Sequence, residues 1–108
     1  MDPKAPKLIE QWPTLAGQLR AALIRAGEAE LATQVDDLRA LKMCACGDDF
    51  CQSFYTQPPP DGSYPPDKHR NWYPEADDPG PGWDGYLILD VVDGRIAFVE
   101  ILDRPPLD

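Results

Sequence analysis

The chain lacks any apolar run long enough to cross a bilayer: none of its 108 residues belongs to a stretch approaching the roughly 20 apolar positions that a spanning helix needs. Its opening, Met1-Asp2-Pro3-Lys4-Ala5-Pro6, also lacks the apolar centre of a secretory signal. Both absences predict a cytoplasmic protein with no membrane partner. Basic residues are scarce after residue 43. Residues 1–43 hold six acids and six bases, whereas residues 44–108 hold 13 acids against four bases, so the formal charge of −9 belongs entirely to the second part. A field of that sign repels phosphate backbones and attracts basic surfaces. It argues against nucleic acid and favours either plain solubility or a basic protein as partner.

Catalytic groupings are equally scarce. Histidine occurs once, at His69. The acid pairs Asp36-Asp37 and Asp77-Asp78 are adjacent in sequence and read as solvated surface rather than as acid–base dyads. Gly80-Pro81-Gly82 cannot cradle a phosphate, because proline removes a donor and acids surround it. No helix N-terminus or basic neighbour would lower the pKa of a thiol near Cys51, and Asp48 and Asp49 would raise it. The sequence thus leans away from an enzyme. It holds no internal repeats.

What the chain has in excess is proline, with 13 residues, alongside an ordinary 43% of apolar residues and eight glycines. That composition predicts a single domain over 1–108 with proline concentrated in loops. Pro13 suits a first helical turn, and Leu15, Leu19, Ala22, Leu23 and Ala26 recur at helical spacing up to Gly27, which would end the helix. A second helix is expected from Glu28, with Leu31, Val35, Leu38 and Leu41 inward. Together they predict a helical hairpin over about 7–41.

From Leu41 the period becomes alternating, which predicts a β-hairpin over 42–56 with strands Lys42–Cys46 and Phe50–Thr56. A second β-hairpin is expected over 86–102. There Asp93-Gly94 suits a type I′ turn and sets Val92 opposite Arg95. Strict alternation then puts Leu87, Leu89, Val91, Ile96 and Phe98 on one face. Tyr86, Ile88, Val92, Val99 and Ile101 fall on the other, with Asp90 near Arg95. Between the hairpins, 57–85 holds eight prolines and four large aromatics, Tyr64, Trp72, Tyr73 and Trp83. This stretch is expected to form neither helix nor central strand, but an ordered loop over the sheet or aromatics offered to a partner. The fold expected is α+β: the helical hairpin on a four-stranded, mainly antiparallel sheet. Its second apolar face would be covered by the loop, leaving a monomer, or by a second copy, giving a homodimer through the C-terminal sheet.

The one concentrated chemical feature is Cys44-Ala45-Cys46-Gly47-Asp48-Asp49-Phe50-Cys51. A turn at Asp48-Asp49 would put Cys46 across from Cys51, with Cys44 two positions back on the same face. Three thiolates are most of a tetrahedral zinc site, and the fourth ligand would be His69, Asp48, Asp49 or water. An oxidised Cys46–Cys51 pair and reduced, packed thiols are the alternatives, an odd count in the cytosol disfavouring a disulfide framework. His69, taken alone, reads as an exposed loop residue. The cofactor is either none or one zinc ion.

Cys46-Gly47-Asp48-Asp49-Phe50-Cys51-x-Ser53-Phe54-Tyr55-Thr56 and Asp93-Gly94-Arg95-Ile96-x-x-Val99-Glu100-Ile101-Leu102-Asp103-Arg104-Pro105 resemble a family of small bacterial proteins of uncharacterised activity. The resemblance covers roughly residues 40–105. It implies a bacterial cytosolic module and transfers no reaction.

Overall fold

Helix α2 (Pro13–Arg25) begins where the sequence places it, with proline at the first helical position. Because a residue before proline avoids the helical region, Trp12 sits at φ −137° and ψ 73° and separates α2 from a short α1 (Leu8–Gln11). At its other end Gly27 takes φ 77°. The Gly27 N–H then donates to the Ile24 carbonyl and the Glu28 N–H to the Leu23 carbonyl. This pair of bonds is a Schellman cap, and it turns the chain directly into α3 (Ala29–Gln34).

The second helix is shorter than expected. It tightens into a 3-10 turn over Val35–Asp37, and Leu38 is extended. Asp36 and Asp37 lie at the negative end of the helix dipole, where acids oppose further helix. Residues 38–40 instead run against the N-terminal segment, through Leu8 N–H to Leu38 carbonyl, Ala40 N–H to Pro6 carbonyl and a bridge between Lys7 and Arg39. The helical hairpin therefore occupies 13–34 within the expected 7–41.

The computed structural model describes residues 5–43, 52–58, 62, 64–73 and 86–102. Among them the sheet has five antiparallel strands: β1 (Lys42–Met43), β2 (Phe54–Tyr55), β3 (His69–Trp72), β4 (Tyr86–Val92) and β5 (Arg95–Leu102), in the order β1-β2-β5-β4-β3. The expected four strands were one too few. Pro66 and Pro74 flank His69–Trp72 without interrupting it, so the proline-rich stretch supplies an edge strand, the place in a sheet where such a sequence is tolerated. No helix among the described residues is long and apolar enough to cross a membrane.

Asp93 and Gly94 both have positive φ, 52° and 77°, as the type I′ turn requires, and Val92 pairs with Arg95. Two residues further on the alternation fails. Val91 pairs with Ile96 but Asp90 pairs with Phe98, leaving Ala97 as the extra residue of a β-bulge. Ile96, Val99 and Ile101 consequently share the buried face with Leu87, Leu89 and Val91, while Phe98 moves to the opposite, half-buried face. The expected division of Val99, Ile101 and Phe98 is corrected by that single residue.

The helices cover the buried face. Leu8, Leu15, Leu19, Leu23, Leu31 and Val35 meet Phe54, Leu89, Val99 and Ile101 in one core, and Trp72 joins from β3. Ala26, expected inward, is exposed beyond the end of α2. The free edge of β5 near its start is closed by side chains. The Gln34 carboxamide accepts from the Ile96 N–H at 2.9 Å and donates to the Gly94 carbonyl at 2.7 Å, and the Thr56 hydroxyl donates to the Ile96 carbonyl at 2.7 Å. Gln34 thus does for β5 what a neighbouring peptide unit would.

Candidate functional site

Strand β3 brings to the sheet a histidine that the sequence reading left on a loop. His69 pairs with Val92 and Asn71 with Asp90, which places all four side chains on the face away from the helices. There the Asp90 carboxylate collects two donors on one oxygen: His69 Nε2 at 2.6 Å and Asn71 Nδ2 at 2.6 Å. The Tyr64 ring packs against the imidazole, with centroids 5.0 Å apart. His69 is half-buried, not an exposed loop residue.

Asp90 lies opposite Phe98, so its partner is His69 where alternation without the bulge suggested Arg95. Tyr64 is held neutral. Burial first, then the charge of Asp90 and the neighbouring Tyr55, push its phenol up to about 12. A carboxylate that fixes an imidazole orients its second nitrogen, as in hydrolytic and metal sites. Among the described residues, however, no serine or threonine hydrogen-bonds to His69, and no group of three or more metal-ligating side chains occurs.

Beside Tyr64 the same face holds a hollow of about 260 Å³, lined by Gln57, Pro58, Tyr64, Pro65, Val92 and Arg95, with Ala97 at the bulge. Arg95 is exposed, and among the described residues no carboxylate lies within ion-pairing distance of it. Sequence reasoning missed both the hollow and the His69–Asp90 pair. No apolar alternation marks His69-Arg70-Asn71-Trp72, three polar residues and one aromatic, as a strand in the sequence.

Cys44, Cys46 and Cys51, with Asp48 and Asp49, lie outside the described residues, as does Trp83. The strands that lead to and from them are tied down. Lys42 pairs with Tyr55 and Met43 with Phe54, the Gln52 N–H donates to the Ile101 carbonyl at 2.9 Å, and the Ser53 hydroxyl accepts from the Ile101 N–H at 2.9 Å. β1 and β3 are the opposite edges of the sheet. Three strand intervals separate β2 from β3, roughly 14 Å, and His69 lies beside the Asp93-Gly94 turn while Gln52 lies at the far end of β5, about 20 Å along the strand.

Comparison with protein-family models found no matching family, and searches of the curated proteins and of the solved structures found no match. An α+β sheet-and-helix domain is what the fold itself defines.

Proposed function

We propose that the chain is a small, acidic, non-enzymatic interaction module of the immunity- or antitoxin-like kind, acting on a basic protein in a bacterial cytosol. The observation that carries this reading is the excess of 13 acids over four bases in residues 44–108. The ion pairs accentuate it. Lys7 with Asp37 and Arg20 with Asp36 balance the first part internally, whereas Arg70 from β3 is directed at Glu28, 2.8 Å away, in the α2–α3 turn. The exposed acids Asp67 and Asp93 hold no ion pair among the described residues.

Affinity capture with the whole chain tests the reading, run from about 0.05 M to about 0.5 M salt, which takes the screening length from above to below 10 Å. The expected result is a basic protein retained at low salt, released at high salt and retained less by an Asp67→Asn, Asp93→Asn variant. Capture of no basic protein at low salt, or capture indifferent to salt and to the variant, overturns it.

A second reading centres on Cys44, Cys46 and Cys51 as a structural zinc site or a thiol-redox pair. It is favoured by the rungs Lys42↔Tyr55 and Met43↔Phe54, whose register is the one a Cys46–Cys51 pairing requires. Because His69 is engaged by Asp90 at the opposite edge, this reading takes the fourth ligand from Asp48, Asp49 or water. Elemental analysis of chelator-free protein is expected to give about one zinc per chain, lost in Cys51→Ser. A metal-free protein with a reversible two-thiol oxidation selects the redox form, and thiols that react only on denaturation defeat both.

A further inference from the structure

The hollow beside Tyr64 brings apolar walls and a basic residue together on the face away from the helices. Among the described residues its lining is apolar on several sides, from Pro58, Pro65 and Val92, and Arg95 and Gln57, which it shares with a neighbouring hollow of about 300 Å³, stand at its edge as polar residues. Arg95 is in a half of the chain where bases are few. Arg70 is already paired with Glu28, yet Arg95 stands without a carboxylate among the described residues.

Size narrows the ligand. Drug-sized molecules occupy pockets of roughly 300–1,000 Å³, and an apolar cavity of about 150 Å³ takes up benzene. A volume of about 260 Å³ suits one ring and one small polar group. The chemistry narrows it further. A cation would be repelled by Arg95, and a neutral ring would leave the guanidinium unused. Among the described residues the walls formed by Pro58, Pro65 and Val92 give a bare inorganic anion nothing to pack on, whereas a ring fills them. We infer that this hollow is a binding site for a single-ring aromatic carboxylate, with the ring against Tyr64, Pro65 and Val92 and the carboxylate on the Arg95 guanidinium.

Arg95 is suited to that role because its planar fork matches a carboxylate with two parallel hydrogen bonds. Tyr64 is supported from behind by His69, itself fixed by Asp90, so the aromatic wall is ordered before a ligand arrives. Its phenol, with a pKa pushed up to about 12, adds no negative charge near neutral pH. The site is independent of the acidic surface proposed for a basic partner, and its test reads a different set of residues.

Isotope-labelled full-length protein is titrated with benzoate, benzamide and benzylamine while its backbone and methyl resonances are followed. Benzoate is expected to shift Val92, Ala97 and Tyr64 and to saturate at millimolar concentration, on the order expected for so few ligand atoms. Benzamide is expected to bind about tenfold more weakly, the usual scale for losing a charged hydrogen bond, and benzylamine weaker still. Arg95→Gln is expected to lower benzoate affinity to the level of benzamide and to leave benzamide unchanged. Because Arg95 is exposed at the end of a hairpin, the variant is expected to fold, and its unperturbed spectrum elsewhere verifies that. The inference is overturned by equal binding of the three probes, by shifts located away from these residues, by benzoate affinity that survives Arg95→Gln, or by no shifts at about 10 mM benzoate, weaker than any affinity the contacts would give.

Discussion

Asp90 shows how much one half-buried side chain determines. Its carboxylate holds both alternate residues of β3 that face outward, through bonds of 2.6 Å to His69 and to Asn71. With side-chain exposures of 24% for His69 and 18% for Asp90, the pair is shielded enough to matter. Asp90→Ala is expected to cost about 1–3 kcal/mol, since two donors lose their acceptor. Chemical denaturation measures that loss, and hydrogen exchange at Arg70 and Trp72 would show it concentrated in β3. Tyr64 gives a pH signature. Its neutral form is favoured by the fold, with the pKa raised from 10.0 to about 12. Between those values the unfolded chain releases a proton that the folded chain retains, so stability is full below about pH 10 and falls as pH rises toward 12. In a spectrophotometric titration Tyr64→Phe is expected to remove a phenol that ionises near pH 12 and to flatten that alkaline loss.

At the scale of elements, the glycines separate backbone conformation from packing. A Cβ added at Gly17, Gly27 or Gly94 meets nothing within 4 Å, so the outcome depends on φ alone. Gly27→Ala and Gly94→Ala are each expected to destabilise by about 1 kcal/mol, because both positions have φ 77° and an L-residue is strained there. Gly17→Ala, within α2, is expected to stabilise by about 0.5–1 kcal/mol. Thermal unfolding of the three variants checks the sign in each case. The same local physics explains what could be read from the sequence. Pro13, Gly27 and Asp93-Gly94 act through their own dihedral preferences, and the elements they bound are found where expected. β3 was not legible, because His69–Trp72 becomes a strand only by pairing with β4. The end of α3 depends on the segment around Lys7 and Leu8, far away in sequence. The bulge carries no signal in composition, and neither the His69–Asp90 pair nor the Arg95 hollow can be placed until β3 and the bulge are known. The cysteine segment, the one motif conspicuous in the sequence, lies outside the described residues.

For the molecule as a whole, the helix layer and the sheet are joined by a few polar links as well as by the apolar core. Arg70–Glu28 ties β3 to the turn after α2, and Gln34 ties the end of α3 to both Gly94 and Ile96. Gln34→Ala is expected to cost about 1–3 kcal/mol by leaving the Ile96 N–H without its acceptor. Arg70→Ala is expected to cost well under 1 kcal/mol, since the arginine side chain is 51% exposed and exposed ion pairs contribute little. Denaturant melts of the two variants are expected to differ accordingly. A high charge of one sign also opposes compaction. With a net charge of −9, the melting temperature is expected to rise as moderate salt is added, and a scan across salt concentrations tests it.

The bulge at Ala97 makes the chain unusually tolerant of one particular loss. Removing a residue from the middle of a strand ordinarily turns one flank inside out, because side chains alternate between faces. Here Ala97 is the supernumerary residue, and Ile96 and Phe98 already pair with the consecutive residues Val91 and Asp90. Excision of Ala97 would therefore leave Val99 and Ile101 pointing into the core and would convert β4 and β5 into an uninterrupted ladder. What would go is the Ala97 carbonyl, the acceptor for both the Thr56 and the Gln57 N–H groups, which leads β2 away from the sheet. An Ala97 deletion is expected to fold and to lose order around 56–58, whereas deletion of Leu89 from β4 is expected to abolish folding. For a lineage carrying this sequence, a codon lost at position 97 would be among the least damaging deletions open to the sheet.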